Sequence, residues 1–185
     1  MGEKHTPKRS PAQRLAFDGT LAALTVILGF VSIRIGNVMK ISLEDMPVIF
    51  AALLFGPAEG TAVAFTGIFL YQLLSYGITV TTPLWILPFM IAAAVTGAFA
   101  KRANYNNTDR QILMLFLVGE FIIFGFNTLA IYTDAKVYGY YYPTIISGMI
   151  LIRAATAAAK GVILGLISPA ILKKLSVITR NGRPS

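Results

Sequence analysis

Six stretches of the chain are almost continuously apolar, covering residues 15 to 33, 46 to 55, 61 to 74, 84 to 100, 111 to 133 and 144 to 172. Several reach the roughly 17 to 25 residues that a helix needs to cross a bilayer. A helix is the expected form, because a segment in lipid must satisfy its backbone hydrogen bonds internally. The first stretch is too long for the apolar region of a secretory leader and has no persuasive A-x-A cleavage site, so it reads as a retained helix. The second is the short one, and its residues from Met46 to Phe55 would rise only about 15 Å, half a bilayer. The loop before it, residues 34 to 45, carries Arg34, Asn37, Lys40, Ser42, Glu44 and Asp45, and must dip inward to complete the crossing. Polar backbone at that depth requires surrounding protein or a water-filled cavity, so a cavity open to the outer face is expected.

Whether residues 46 to 74 form one broken span or two spans meeting at Phe55-Gly56-Pro57-Ala58-Glu59-Gly60 decides the topology. Glycine and proline together favour a turn there. With two spans, eleven basic residues fall on the cytosolic side, namely Lys4, Lys8, Arg9, Arg14, Lys101, Arg102, Arg110, Lys173, Lys174, Arg180 and Arg183. Only Arg34, Lys40 and Lys136 then lie outside. A single span would leave five inside and nine outside, which the positive-inside rule rejects. The expected fold is therefore an all-α integral membrane protein. It has six transmembrane helices, both termini in the cytosol, a short second helix and an inward-dipping first extracellular loop. Residues 1–185 form a single transmembrane domain, with basic cytosolic tails at about 1–11 and 176–185.

Composition agrees: 56% of residues are hydrophobic and 13% charged, against the roughly 25% charged of a soluble domain. The net charge of +8 reports topology rather than a nucleic-acid partner. With no cysteine and one histidine, His5 in the polar tail, neither a thiolate centre nor a histidine-based metal site or Ser/His relay is expected. The chain holds no Walker loop, H-E-x-x-H or G-x-S-x-G, and no convincing internal duplication. An enzyme, an ATPase and an autonomous carrier are thereby disfavoured, and no cofactor is expected.

The charges inside the apolar stretches are the candidate functional groups, because a charge at the bilayer centre costs at least about 2.5 to 3.5 kcal/mol unless paired or hydrated. Arg153 and Lys160 stand seven apart on one face of the last helix, about 14 and 24 Å deep if it starts at Thr144. On the fifth helix, Glu120 and Asn127 have the same spacing. Depth pairs Glu120 with Lys160, first as a structural ion pair and second as a ligand contact. Arg153, beside Asn127, has no acid at its depth on these helices and suits an external anion, unless Glu44 or Asp45 neutralises it. Asp18 reads as interfacial. Tyr71, Tyr76, Trp85, Tyr138, Tyr140, Tyr141 and Tyr142 cluster towards the outer side as interfacial anchors or a lid, with the hydroxyl-rich loop 77 to 83 closing from the opposite side. Small residues mark close helix approach: Gly60, Ala64 and Gly67 in the third helix, and Ala154, Ala158, Gly161 and Gly165 in the sixth. On the first helix, Ala12, Ala16 and Thr20 make a small face beside a basic tail, open to a partner protein.

Over roughly residues 12 to 175 the sequence resembles the S components of energy-coupling factor (ECF) importers, most of all the folate-type branch. The likeness rests on the small face of the first helix and on Leu53-Leu54-Phe55-Gly56-Pro57-Ala58-Glu59-Gly60. It continues through Thr82-Pro83-Leu84-Trp85-Ile86-Leu87-Pro88, Phe126-Asn127-Thr128, the tyrosine-rich loop and the charged sixth helix. The resemblance implies a non-catalytic subunit in a bacterial plasma membrane. Such a subunit captures a vitamin outside and joins a transmembrane coupling protein and two ATPases. It also implies a pocket formed by Trp85, Asn127, Arg153, Lys160 and Tyr141, and a coupling contact at Ala12, Ala16 and Thr20, where Thr20 replaces a third alanine. Buried positive charge at Arg153 and Lys160 favours a carboxylate-bearing vitamin such as folate or pantothenate over cationic thiamine. The competing expectation is a membrane scaffold of the rod-shape morphogenesis type, which needs no pocket.

Overall fold

The computed structural model describes residues 11–35 and 39–181. The expected basic tail through Ser10 with His5, the end of the chain with Arg183, Asn37, and the side chains of Arg34, Lys40 and Arg180 lie outside the described residues. Within them, six long helices carry the fold: α1 Pro11–Phe30, α2 Asp45–Phe55, α3 Pro57–Tyr76, α4 Thr82–Arg102, α5 Asp109–Val137 and α7 Ile150–Asn181. A single turn, α6 Thr144–Ser147, precedes the last. Helices α4, α5 and the Ile150–Leu175 part of α7 are long and apolar enough to cross a membrane by composition alone. Large apolar side chains such as Leu15, Ile27, Phe65, Phe121, Leu151 and Leu166 face outward, as lipid contact requires.

Helix α2 is the hub. After Asp45 at its start, its residues are apolar on every side, and Pro47 to Leu53 are all buried. A helix without a polar face must be covered all round. Val48, Ala51 and Ala52 pack with α1, α3 and α4, while Ile49, Phe50 and Leu53 pack with α4, α5 and α7. The elbow to α3 turns at Gly56, whose φ of 105° suits glycine, and Pro57 opens the next helix. The small residues sit at the crossings: a Cβ on Gly60 would lie 2.7 Å from Ala52 Cα, and one on Gly165 2.8 Å from Leu113 Cα. Close backbone approach is the purpose of such residues in membrane bundles.

Two expectations change. The inward-dipping first loop is a β-hairpin, β1 Ser32–Ile35 with β2 Met39–Ser42, paired antiparallel with Ile33 opposite Ile41. Its signal was the period-2 alternation of Ser32-Ile33-Arg34-Ile35 and Met39-Lys40-Ile41-Ser42 around Gly36-Asn37. The last span is also not one helix from Thr144. It breaks after Ser147, where the Gly148 N–H donates to the Thr144 carbonyl at 3.1 Å and a Cβ on Gly148 would stand 2.9 Å from that oxygen, and resumes at Ile150.

Candidate functional site

At the hairpin end of the bundle the helices enclose a cavity of about 830 Å³. Its α5 wall presents Glu120, Ile123, Phe124, Asn127, Ile131 and Asp134, and its α7 wall Arg153, Thr156, Ala157 and Lys160. Both sets follow helical periodicity, so a single face of each helix is turned to the cavity. Helix α3 adds Tyr71, Gln72 and Tyr76, and α4 adds Trp85 and Phe89. The hairpin and the turn after it bring Ile41, Ser42 and Glu44.

Lys160 is tied down on three sides. Its ammonium lies 2.9 Å from Asp45 Oδ1 and 3.1 Å from Glu120 Oε1, and donates to the Ser42 carbonyl at 3.2 Å. The pairing of Glu120 with Lys160 holds, and Asp45, fully buried, is the member the spacing did not supply. Asp45 is reached only because α2 begins at depth beneath the hairpin. It therefore balances Lys160 and not Arg153. The Glu44 carboxylate turns towards α1, where a Cβ on Gly29 would meet its Oε2 at 2.7 Å.

Arg153 stands half-buried with its guanidinium 5.9 Å from the Phe124 ring centroid, a cation–π arrangement. Among the described residues no carboxylate forms an ion pair with it. Nearby on the cavity wall, the Asn127 Oδ1 is buried without a hydrogen-bond partner among the described residues. Buried polar atoms are ordinarily satisfied, and one that faces a cavity is open to a ligand's donor.

The structure thus brings Trp85, Asn127, Arg153 and Lys160 to one cavity and leaves Tyr141 off its wall. The Tyr141 ring meets Tyr132 edge-on at 5.3 Å and covers the Lys136 ammonium at 4.1 Å. Its neighbours Tyr138, Tyr140 and Tyr142 line the cavity in its place. Turn geometry decides this, since Gly139 at φ 75° fixes where the tyrosines after it point. Asp134, Thr81 and Tyr140 were not singled out as site residues, although Glu120, Asn127 and Asp134 repeat every seven positions. The Asp134 carboxylate accepts from the Thr81 hydroxyl and from the Tyr140 phenol. Burial and that carboxylate push the Tyr140 phenol up to about 12. On α1, Ala12, Ala16 and Thr20 are exposed on one face, where Thr20 donates to the Ala16 carbonyl at 2.8 Å and a Cβ on Gly19 would meet nothing.

Residues 11–176 match the family of ECF-type riboflavin transporter S components. No curated protein sequence matches the chain. Among solved structures it is similar to an S component for biotin from an ECF-type ABC transporter, with a TM-score of 0.65 and 17% identity over 91% of this chain and 95% of that one. It is similar also to ThiT from Listeria monocytogenes, at 0.69 and 19% over 88% and 94%. The S component of a bacterial ECF transporter follows at 0.62 and 17% over 93% and 100%. At these identities the structures show a shared fold.

Proposed function

The chain belongs to the ECF-type riboflavin transporter S components, and on that premise we propose that it captures a flat heteroaromatic vitamin in the cavity between α4, α5 and α7 for ATP-driven uptake. A membrane scaffold is not favoured, since S components are substrate-binding transporter subunits and not enzymes. The observation that carries the proposal is the wall itself. Trp85, Phe89 and Phe124 offer aromatic faces, while among the described residues the Arg153 guanidinium has no carboxylate partner and the Asn127 Oδ1 has no hydrogen-bond partner. The hairpin end faces outside and both termini face the cytosol of a bacterial cell, as the distribution of basic residues supports.

Among the described residues that line the cavity, only Arg153 contributes uncompensated positive charge, because Asp45 and Glu120 balance Lys160. That reduces the charge argument to one carboxylate, and a folate-like or other carboxylate-bearing vitamin placed against Arg153 is the reading it supports. Riboflavin is the second reading, favoured by the family match. Its ring carbonyls would accept from Arg153 and its ring N–H would donate to Asn127. The exposed α1 face of Ala12, Ala16 and Thr20 would dock on the transmembrane coupling protein that works with two ATPases.

Trp85 is the sole tryptophan of the chain, so its fluorescence reports the cavity directly. Titrating the purified chain with folate, pantothenate, riboflavin and biotin is expected to change that emission for one of them at one-to-one stoichiometry. Arg153→Ala then weakens a carboxylate ligand by about 1.5 to 3 kcal/mol, roughly ten- to hundredfold. Binding of riboflavin alone, insensitive to Arg153, overturns the carboxylate reading and keeps the capture function. No binding across the panel by folded protein sinks the capture function too.

A further inference from the structure

Two loops flank the cavity, residues 77 to 81 between α3 and α4 and residues 138 to 143 after α5. They are far apart in sequence, and neither is held to the other by secondary structure. Each is wired internally. In the first, Thr79 N–H donates to Thr82 Oγ1 at 2.8 Å, and the hydroxyls of Thr79 and Thr81 lie 3.2 Å apart. In the second, Tyr138 and Tyr140 N–H groups donate to the Asp134 and Ala135 carbonyls, both at 3.0 Å.

One side chain joins the two. Asp134, in the last turn of α5, accepts from Thr81 with Oδ1 and from Tyr140 with Oδ2. Thr81 is only 2% exposed although it lies in a loop, so the arrangement covers it. All three residues line the cavity. A carboxylate accepting two hydroxyl hydrogen bonds makes charge-assisted contacts, stronger than neutral ones. We propose that Asp134 is the positioning residue that latches the two loops together across the mouth of the cavity and so sets how fast a bound molecule leaves. The assignment rests on the capture reading for its purpose, and on the geometry alone for its existence.

The latch is tested without any ligand through acrylamide quenching of Trp85 in the full-length chain. Removing both hydrogen bonds in Asp134→Ala shifts the mouth from closed to open by about tenfold or more, seen as a raised quenching constant. Thr81→Val and Tyr140→Phe each remove one contact and give intermediate values, as does Asp134→Asn, which keeps one acceptor. Melting temperatures are recorded alongside. If Asp134→Ala does not fold, Tyr140→Phe, altered at a half-exposed loop, decides the matter. Quenching in Asp134→Ala and Tyr140→Phe equal to that of the unaltered chain overturns the latch. In a second arm, with riboflavin and folate as probes, whichever binds leaves several-fold faster from Asp134→Asn and about tenfold faster from Asp134→Ala, while the melting temperature of Asp134→Asn stays unchanged. A release rate that does not change overturns the retention role. If neither probe nor any other vitamin of the panel binds, the capture reading fails, and the quenching arm still decides whether Asp134 closes the mouth.

Discussion

Lys160 holds two carboxylates and a carbonyl from three separate segments, so loss of its charge would leave Asp45 and Glu120 facing each other in the protein interior. Breaking a buried ion pair by removing one partner costs about 3 to 5 kcal/mol, more than the pair contributes against an apolar replacement. Lys160→Met is therefore expected to lower the melting temperature in detergent sharply. Adding Asp45→Asn and Glu120→Gln is expected to restore most of it. A single variant that melts like the unaltered chain would show that the cluster carries no such charge. At this scale the sequence was readable wherever a charge interrupted an apolar run, as at Glu120, Arg153 and Lys160. It was not readable at Tyr141, because a loop side chain's direction follows from a turn and from ring contacts with Tyr132 and Lys136.

Between elements, glycine decides how closely helices cross. A Cβ on Gly97 would stand 2.6 Å from the Pro57 nitrogen and 2.7 Å from its Cα, both backbone atoms of the elbow that cannot swing aside. Gly97→Ala is expected to force α4 off the α2–α3 elbow and cost about 1 to 3 kcal/mol in a thermal melt. Gly19→Ala meets open space and is expected to be neutral, or to stabilise α1 by about 0.5 to 1 kcal/mol through helix propensity. Equal effects at the two sites would mean that crossing distance is not what these glycines provide. The hairpin of residues 32 to 42 belongs to this scale as well. It was predicted as a dip and not as strands, since a loop of mixed composition displays its alternation only over four residues a side.

For the whole molecule, orientation and assembly are the testable properties. The absence of native cysteine makes single-cysteine labelling clean. In intact cells a membrane-impermeant maleimide is expected to label Val80→Cys in the loop at the hairpin end and to spare Asn106→Cys at the opposite end. The reverse pattern would invert the topology. The small α1 face makes a separate prediction, because Ala16 is exposed among the described residues. Ala16→Leu is expected to abolish copurification with the coupling protein and ATPases and to leave vitamin titration of Trp85 unchanged. Retained copurification would place the coupling contact elsewhere.

The sequence by itself determined the span count, the short second helix, the small-residue crossings and the identity of four cavity residues. The spans and the buried charges follow from the cost of placing charge or unsatisfied backbone in lipid, the crossings from the close approach that small residues allow, and Trp85 from the family resemblance; each is written into hydropathy, spacing or motif. Only the tertiary structure decided that Asp45 joins Glu120 on Lys160 and does not neutralise Arg153, which is left to the cavity. It also decided that one carboxylate at Asp134 meets Thr81 and Tyr140 from two loops. Those contacts depend on how deep α2 starts and how the loops fold back, and such distances between remote segments are fixed by packing, which no local pattern encodes.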